Sequence, residues 1–195
     1  MILRAVGVAM VIVLLGCQSG PPGPYAGQTI ERRDTAKASS LNRRAADIIY
    51  SDPDTAEKLL REALSYDLHF GPAHNNLGIL FLSQGNLYEA SSEFEWARKL
   101  MPGHPDPRLN LAITLERGGQ VEEAIATYQA VLDLRPEFQP AMIGLASLQL
   151  RHLKADEHTQ ALLDQIAAAS SNDQIRNWAR MQINRLQSHD RIQDR

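Results

Sequence analysis

Apolar residues recur along this chain at intervals of three and four rather than two, which predicts helices and no strands. Leu77, Gly78 and Phe81 form one apolar stripe. A second, Ala90, Phe94 and Ala97, follows a break at Gly85-Asn86. The same two stripes return 34 residues later as Leu111, Ala112, Leu115 and Ala124, Tyr128, Val131. Gly119 breaks the second pair where Gly85 breaks the first, and Pro102 and Pro136 end the two units. Written one above the other, residues 71–104 and 105–138 agree at eight of 34 positions without a gap, where chance gives about two. A fixed period of this size is the mark of stacked helical repeats.

Local signals divide each unit into two helices. Pro72 and Pro107 fall in a first turn, where a missing N–H costs nothing, and Asp106 is a candidate cap for the second copy. Gly85 and Gly119 supply the left-handed residue that stops a helix. Asn86 with Glu89 has the spacing of a capping box for the following helix. Small residues at Gly78/Ala112 and Ala90/Ala124 let the two helices approach, with Phe94 or Tyr128 filling the space beside them.

The Leu77-Gly78, Phe81, Ala90, Phe94, Ala97, Pro102 series resembles the tetratricopeptide repeat family, with its 34-residue period. His74 stands where that family often has tryptophan. The resemblance implies an all-α helix-turn-helix solenoid that binds other proteins. The strict match covers 71–138, and the flanking units are degenerate. Upstream, Ala56, Leu60 and Ala63 keep the second-helix stripe after an Asp52-Pro53 start. The first helix of that unit, near Ser39–Tyr50, lacks the Leu-Gly pair, and Leu68 replaces the proline. Downstream, Gln139–His152 reads as a first helix through Leu145 and Ala146. Its glycine stop is missing, and the second-helix alanine arrives three residues late as Ala161. Ile175, Trp178, Ala179, Ile183 and Leu186 give the stripe of a capping helix. The expected array is two clear repeats, two degenerate ones and a C-terminal cap over 37–187, followed by a polar tail, 188–195.

The N-terminus follows a different pattern. A short basic start at Arg4 leads into the apolar run Ala5–Leu15, too short to span a bilayer that needs about 20 apolar residues but suited to a secretory signal. Leu14-Leu15-Gly16-Cys17 resembles the lipobox of bacterial lipoproteins, Leu15 standing where Ala or Ser is usual. The resemblance implies cleavage of 1–16 and acylation of Cys17, by palmitate or a similar chain, with no other cofactor. Gln18, which is not Asp, favours the outer membrane facing the periplasm by analogy with lipoprotein sorting. Gly20, Pro21, Pro22, Gly23, Pro24 and Gly27 make residues 17–36 a tether.

Composition narrows the chemistry. The 195 residues carry 20 Lys+Arg against 23 Asp+Glu, a net charge of −3, which argues against nucleic acid as the main partner. The single cysteine excludes an intrachain disulfide framework or a CxxC site. No nucleotide-binding, zinc-protease or hydrolase motif occurs, so neither an enzymatic activity nor a small-molecule substrate is expected. His152 and His158, flanking Asp156 and Glu157, have poor spacing for a metal.

Binding therefore falls to surface. First helices of such arrays line a concave groove. The face opposite Leu77 and Phe81 presents Asn75, Asn76, Ile79, Leu82 and Ser83. The next helix offers Leu109, Asn110, Ile113, Glu116 and Arg117, and the third Ile143, Gly144, Ser147, Leu150 and Arg151. Asn76 and Asn110 can pair with a peptide amide through donor and acceptor together. The aliphatic residues suit an apolar side chain, and Arg117 and Arg151 suit a carboxylate. The family resemblance supports the two asparagines as peptide-binding positions. It does not extend to the carboxylate clamp of chaperone cofactors, whose lysines are missing here. Trp96, off the second-helix stripe, is expected on the convex side. The expected function is an envelope scaffold holding an extended or helical partner segment, with pilus secretin assembly and peptidoglycan-hydrolase adaptors as precedents by resemblance. The rival is a self-associating subunit whose groove is filled by its own C-terminal helix or by a second copy.

Overall fold

The structure, a computed structural model, describes residues 33–193, with side chains through Ser188. The lipobox, Cys17 and most of the tether lie outside the described residues. The described chain is nine helices without a strand: α1 (Thr35–Ile48), α2 (Pro53–Tyr66), α3 (Gly71–Gln84), α4 (Leu87–Leu100), α5 (Pro105–Arg117), α6 (Val121–Leu134), α7 (Gln139–Arg151), α8 (Glu157–Ala169) and α9 (Asp173–Gln193). Among these residues, no helix is long and apolar enough to cross a membrane.

Consecutive helices pair antiparallel into four hairpins, and α9 packs on α8 as an unpaired fifth first-type helix. The two layers differ. Along the first-type helices α1 touches α3, α3 touches α5 and α5 touches α7, whereas no second-type helix touches another. A stack closed on one side and splayed on the other must curve, so the first-type helices line the inner wall.

Within each hairpin a large residue fills the space left by small ones. Phe94 is fully buried, and its ring lies where a Cβ on Gly78 would be, 2.6 Å from that position. Ala90 and Ala97 beside it are equally buried, as is Leu77 opposite, with Phe81 only slightly more exposed. Gly85 and Gly119 take positive φ, 81° and 75°, ending α3 and the turn after α5 as expected.

Several local expectations give way. Asp106 does not cap α5: the helix begins at Pro105, behind His104, and Asp106 lies in its first turn. Asn86 is the N-cap of α4 but makes no side-chain cap bond; its amide donates to Gln84 instead. The first helix spans Thr35–Ile48, not Ser39–Tyr50, because the turn into α2 is longer than the one into α4. Leu41 and Asn42 thus face inward where Leu77 and Gly78 do, at a spacing of 36 rather than 34. Ala161 is exposed, and Thr159 holds the expected alanine position, wholly buried. Its hydroxyl lies 3.1 Å from Gln149 Oε1, and it completes a reciprocal cap with Asp156. The backbone amide of Thr159 is the main reason the Asp156 carboxyl is held below its usual range. Asp156 is thereby occupied in starting α8. Where the fourth hairpin lacks its glycine, Leu153 itself takes φ 54° while 93% exposed. Finally, α9 runs to Gln193, past the point where the polar tail was expected to begin.

Candidate functional site

The inner wall assembles from side chains that each first-type helix leaves over after burying its other face. Ile79 and Ile113 occupy equivalent places on α3 and α5, as Leu109 and Ile143 do on α5 and α7, and all four are half-buried. Leu109, Ile113 and Ile143 rest on the core with one side and leave the other open. The result is an aliphatic strip crossing successive helices.

The asparagines form links between helices. Asn76 Nδ2 donates to Asn42 Oδ1 at 2.8 Å, and Asn110 Nδ2 donates to Asn75 Oδ1 at 3.0 Å. Each amide therefore spends one of its hydrogen-bonding groups on the neighbouring repeat and keeps the rest for a ligand. Asn42, 34 residues before Asn76, is the partner that starts this ladder, although the two-residue offset of α1 buries it as Gly78 is buried in α3.

On α7 the ladder stops at Gly144, for a steric reason. A Cβ there would lie 2.5 Å from the Tyr128 ring. Without it, Tyr128 reaches through the wall and donates its hydroxyl to Glu116 Oε2 at 2.7 Å. Burial first, and the Glu116 bond second, push the phenol far above its usual range, so it stays a neutral donor. Glu116 also accepts from Arg151, an ion pair near the wall's edge. Arg117 donates to the Leu82 carbonyl at the end of α3, at 3.4 Å. The two expected edge arginines are thus present and exposed, each lightly engaged by the preceding repeat.

The C-terminal helix does not fill this groove. α9 lies against α8 and makes no contact with α3 or α5, so it extends the inner wall. Trp178, Gln182 and Arg185 thereby join Ser147, Leu150 and Arg151 around one cleft. Sequence reading had placed Trp178 only in a capping stripe. A usable signal was present, since Arg185 falls 34 residues after Arg151.

Away from the wall, Trp96 is 43% exposed. Its ring stacks on His74 with centroids 5.9 Å apart, and Lys99 lies over it. His74, in the place of the usual tryptophan, is wholly buried, with Nδ1 2.7 Å from Glu93 and Nε2 2.9 Å from the Leu68 carbonyl. That pair ties α3 to α4 and takes no part in the groove. Among the described residues, no group of three or more His, Cys, Asp or Glu is placed to hold a metal.

Residues 81–148 match the sequence model of the tetratricopeptide repeat family, and the helical body has the fold of a tetratricopeptide-repeat solenoid. Yeast Tom70 shares the fold at a TM-score of 0.71 and 18% identity, over 82% of this chain and 34% of that one. Pseudomonas aeruginosa PilF gives 0.65 at 17% identity, over 78% of each chain. The first such domain of Spaghetti (RPAP3), bound to an HSP90 peptide, gives 0.59 at 18% identity, over 63% of this chain and 98% of that one. At these identities the likeness is one of fold. No curated protein matches the sequence.

Proposed function

We propose that the chain is a lipid-anchored scaffold of a bacterial envelope that holds a segment of a partner protein along the inner wall of α3, α5 and α7. The observation that carries this is the uncovered aliphatic strip of Ile79, Ile113, Leu109 and Ile143 beside asparagines with spare hydrogen-bonding capacity. Apolar surface flanked by amide groups suits a peptide, whose side chains bury against the strip while its backbone pairs with the amides. A fold relative holding a chaperone peptide supports the same mode of use here. The Leu14-Leu15-Gly16-Cys17 resemblance supports anchoring, with palmitate or a related acyl chain on Cys17 and the outer membrane, facing the periplasm, as the destination. Tethering would raise the partner's concentration at that surface. Pilus secretin assembly and adaptation of peptidoglycan enzymes are the roles this arrangement fits best.

In-cell photocrosslinking from position 113 tests the groove. A single heterologous adduct is expected, lost in the Asn110→Ala/Arg117→Ala variant while helical content stays unchanged. An adduct only with a second copy of the chain, or none, overturns the reading. Anchoring has its own test: Cys17→Ala should abolish incorporation of labelled palmitate and leave a heavier precursor. A native protein that takes up no label would end the lipoprotein assignment.

A further inference from the structure

The inner wall is continuous from α1 to α7 and then parts. α7 and α9 are successive first-type helices, yet unlike every earlier pair their backbones do not come close. The gap is a cleft of about 560 Å³ between Leu150 and Arg151 on one side and Trp178 and Arg185 on the other. Its volume falls in the range of about 300–1,000 Å³ usual for small-ligand sites. Leu150 and Trp178 are half-buried and packed on the core, so they form a rigid apolar floor. Arg151 and Arg185 are exposed at its mouth.

The charge here is ordered. Arg117, Arg151 and Arg185 recur at a 34-residue spacing on three successive first-type helices, in a chain whose net charge is −3. Glu116 is the acid that engages this row, pairing with Arg151. Among the described residues Arg185 has no acidic partner within ion-pair distance.

We infer that the α7–α9 cleft docks an extended acidic segment of a partner protein, with a carboxylate held between Arg151 and Arg185 and an adjacent apolar side chain set between Leu150 and Trp178. The inference rests on the groove reading and names the partner's chemistry at one end of it. Guanidinium groups fork onto carboxylates through paired N–H donors, and a desolvated tryptophan floor is a typical binding anchor. The row sets a spacing as well. Packed helices lie about 8–10 Å apart, and a polyproline II chain advances about 3.1 Å per residue with three residues per turn. Acidic residues three apart would thus present successive carboxylates to Arg117 and Arg151 on the packed helices α5 and α7, and the wider step to Arg185 would be met by a residue further along the same segment. Nucleic acid also carries spaced anions, but it has no aliphatic group for the Leu150–Trp178 floor, and Glu116 would repel its phosphates.

Fluorescence anisotropy on the full chain tests this with a labelled twelve-residue peptide bearing glutamate at every third position and leucine beside each. The glutamine and lysine versions and a single-stranded oligonucleotide serve as the other probes. The glutamate peptide should bind at least tenfold more tightly than the glutamine one, and the lysine peptide not at all. Arg185→Gln should weaken it at least fivefold, and Glu116→Gln should strengthen it severalfold. Arg43→Gln/Arg44→Gln, on the exposed side of α1, should change nothing. Equal binding of the glutamine peptide, no effect of Arg185→Gln, or tighter binding of the oligonucleotide would each overturn the inference. The two readings fail separately. An adduct from position 113 with no peptide binding removes the cleft and leaves the groove; Arg185-dependent peptide binding without that adduct does the reverse.

Discussion

Replacing His74 by leucine should destabilise the protein by about 2–3 kcal/mol, the usual consequence of leaving buried polar groups without their hydrogen-bond partners. His74 is inaccessible to solvent and Glu93 nearly so, and the two meet at 2.7 Å across the α3–α4 interface. Leucine fills part of the ring's volume but strips the buried carboxylate of its imidazole partner and leaves the Leu68 carbonyl without its donor. The stacking partner of Trp96 is lost as well. Urea unfolding monitored by circular dichroism would measure the change. The double variant His74→Leu/Glu93→Leu supplies the internal control. With both polar groups gone the interface becomes an apolar contact, and most of the stability should return. Equal loss in the single and double variants would show that the hydrogen-bonded pairing of His74 with Glu93 is not what the site depends on.

Gly144→Ala should also destabilise, although alanine normally gains about 1 kcal/mol over glycine inside a helix. The added methyl would sit 2.5 Å from Tyr128 Cε1 and 2.6 Å from Cζ, closer than real contacts allow. Tyr128 is 2% exposed and held at its far end by Glu116, so it cannot swing aside without giving up that bond. Overpacking costs about 1–3 kcal/mol and a buried group losing its partner about 1–3 kcal/mol. Against the propensity gain, the net loss is on the order of 2–3 kcal/mol. In a Tyr128→Leu background the clash disappears, and Gly144→Ala should become neutral or stabilising. A stabilised Gly144→Ala in the native background would refute the close approach of ring and helix. Because Glu116 also holds Arg151, the variant should change the affinity of the acidic peptide too.

Both sites show how far the sequence was legible. The 34-residue spacing of Pro102 and Pro136 and the stripes through Leu77 and Ala90 announced paired helices. Those signals are local: helical periodicity, a glycine stop or a proline start depends on neighbours within a turn or two. For the same reason the groove residues Ile79, Ile113, Asn76 and Asn110 could be picked out as the stripe opposite the buried one. Asn42 lies 34 residues before Asn76 and was in line with them, but its burial was not legible, because the longer turn after α1 moved its helix by two residues against the repeat. Thr159 was hidden behind Ala161 by a similar shift after α7.

What the sequence by itself determined is the class of the array, the span of its central helices and the face each turns inward. These follow from residue type and spacing along one helix. Only the tertiary structure decided which asparagine bonds which, that Tyr128 passes through the wall at Gly144, and that α9 continues the wall and stands apart from α7. Each of these depends on how far helices from different repeats are offset and splayed. Turn lengths and side-chain volumes summed over several helices set that offset, and no local pattern records it.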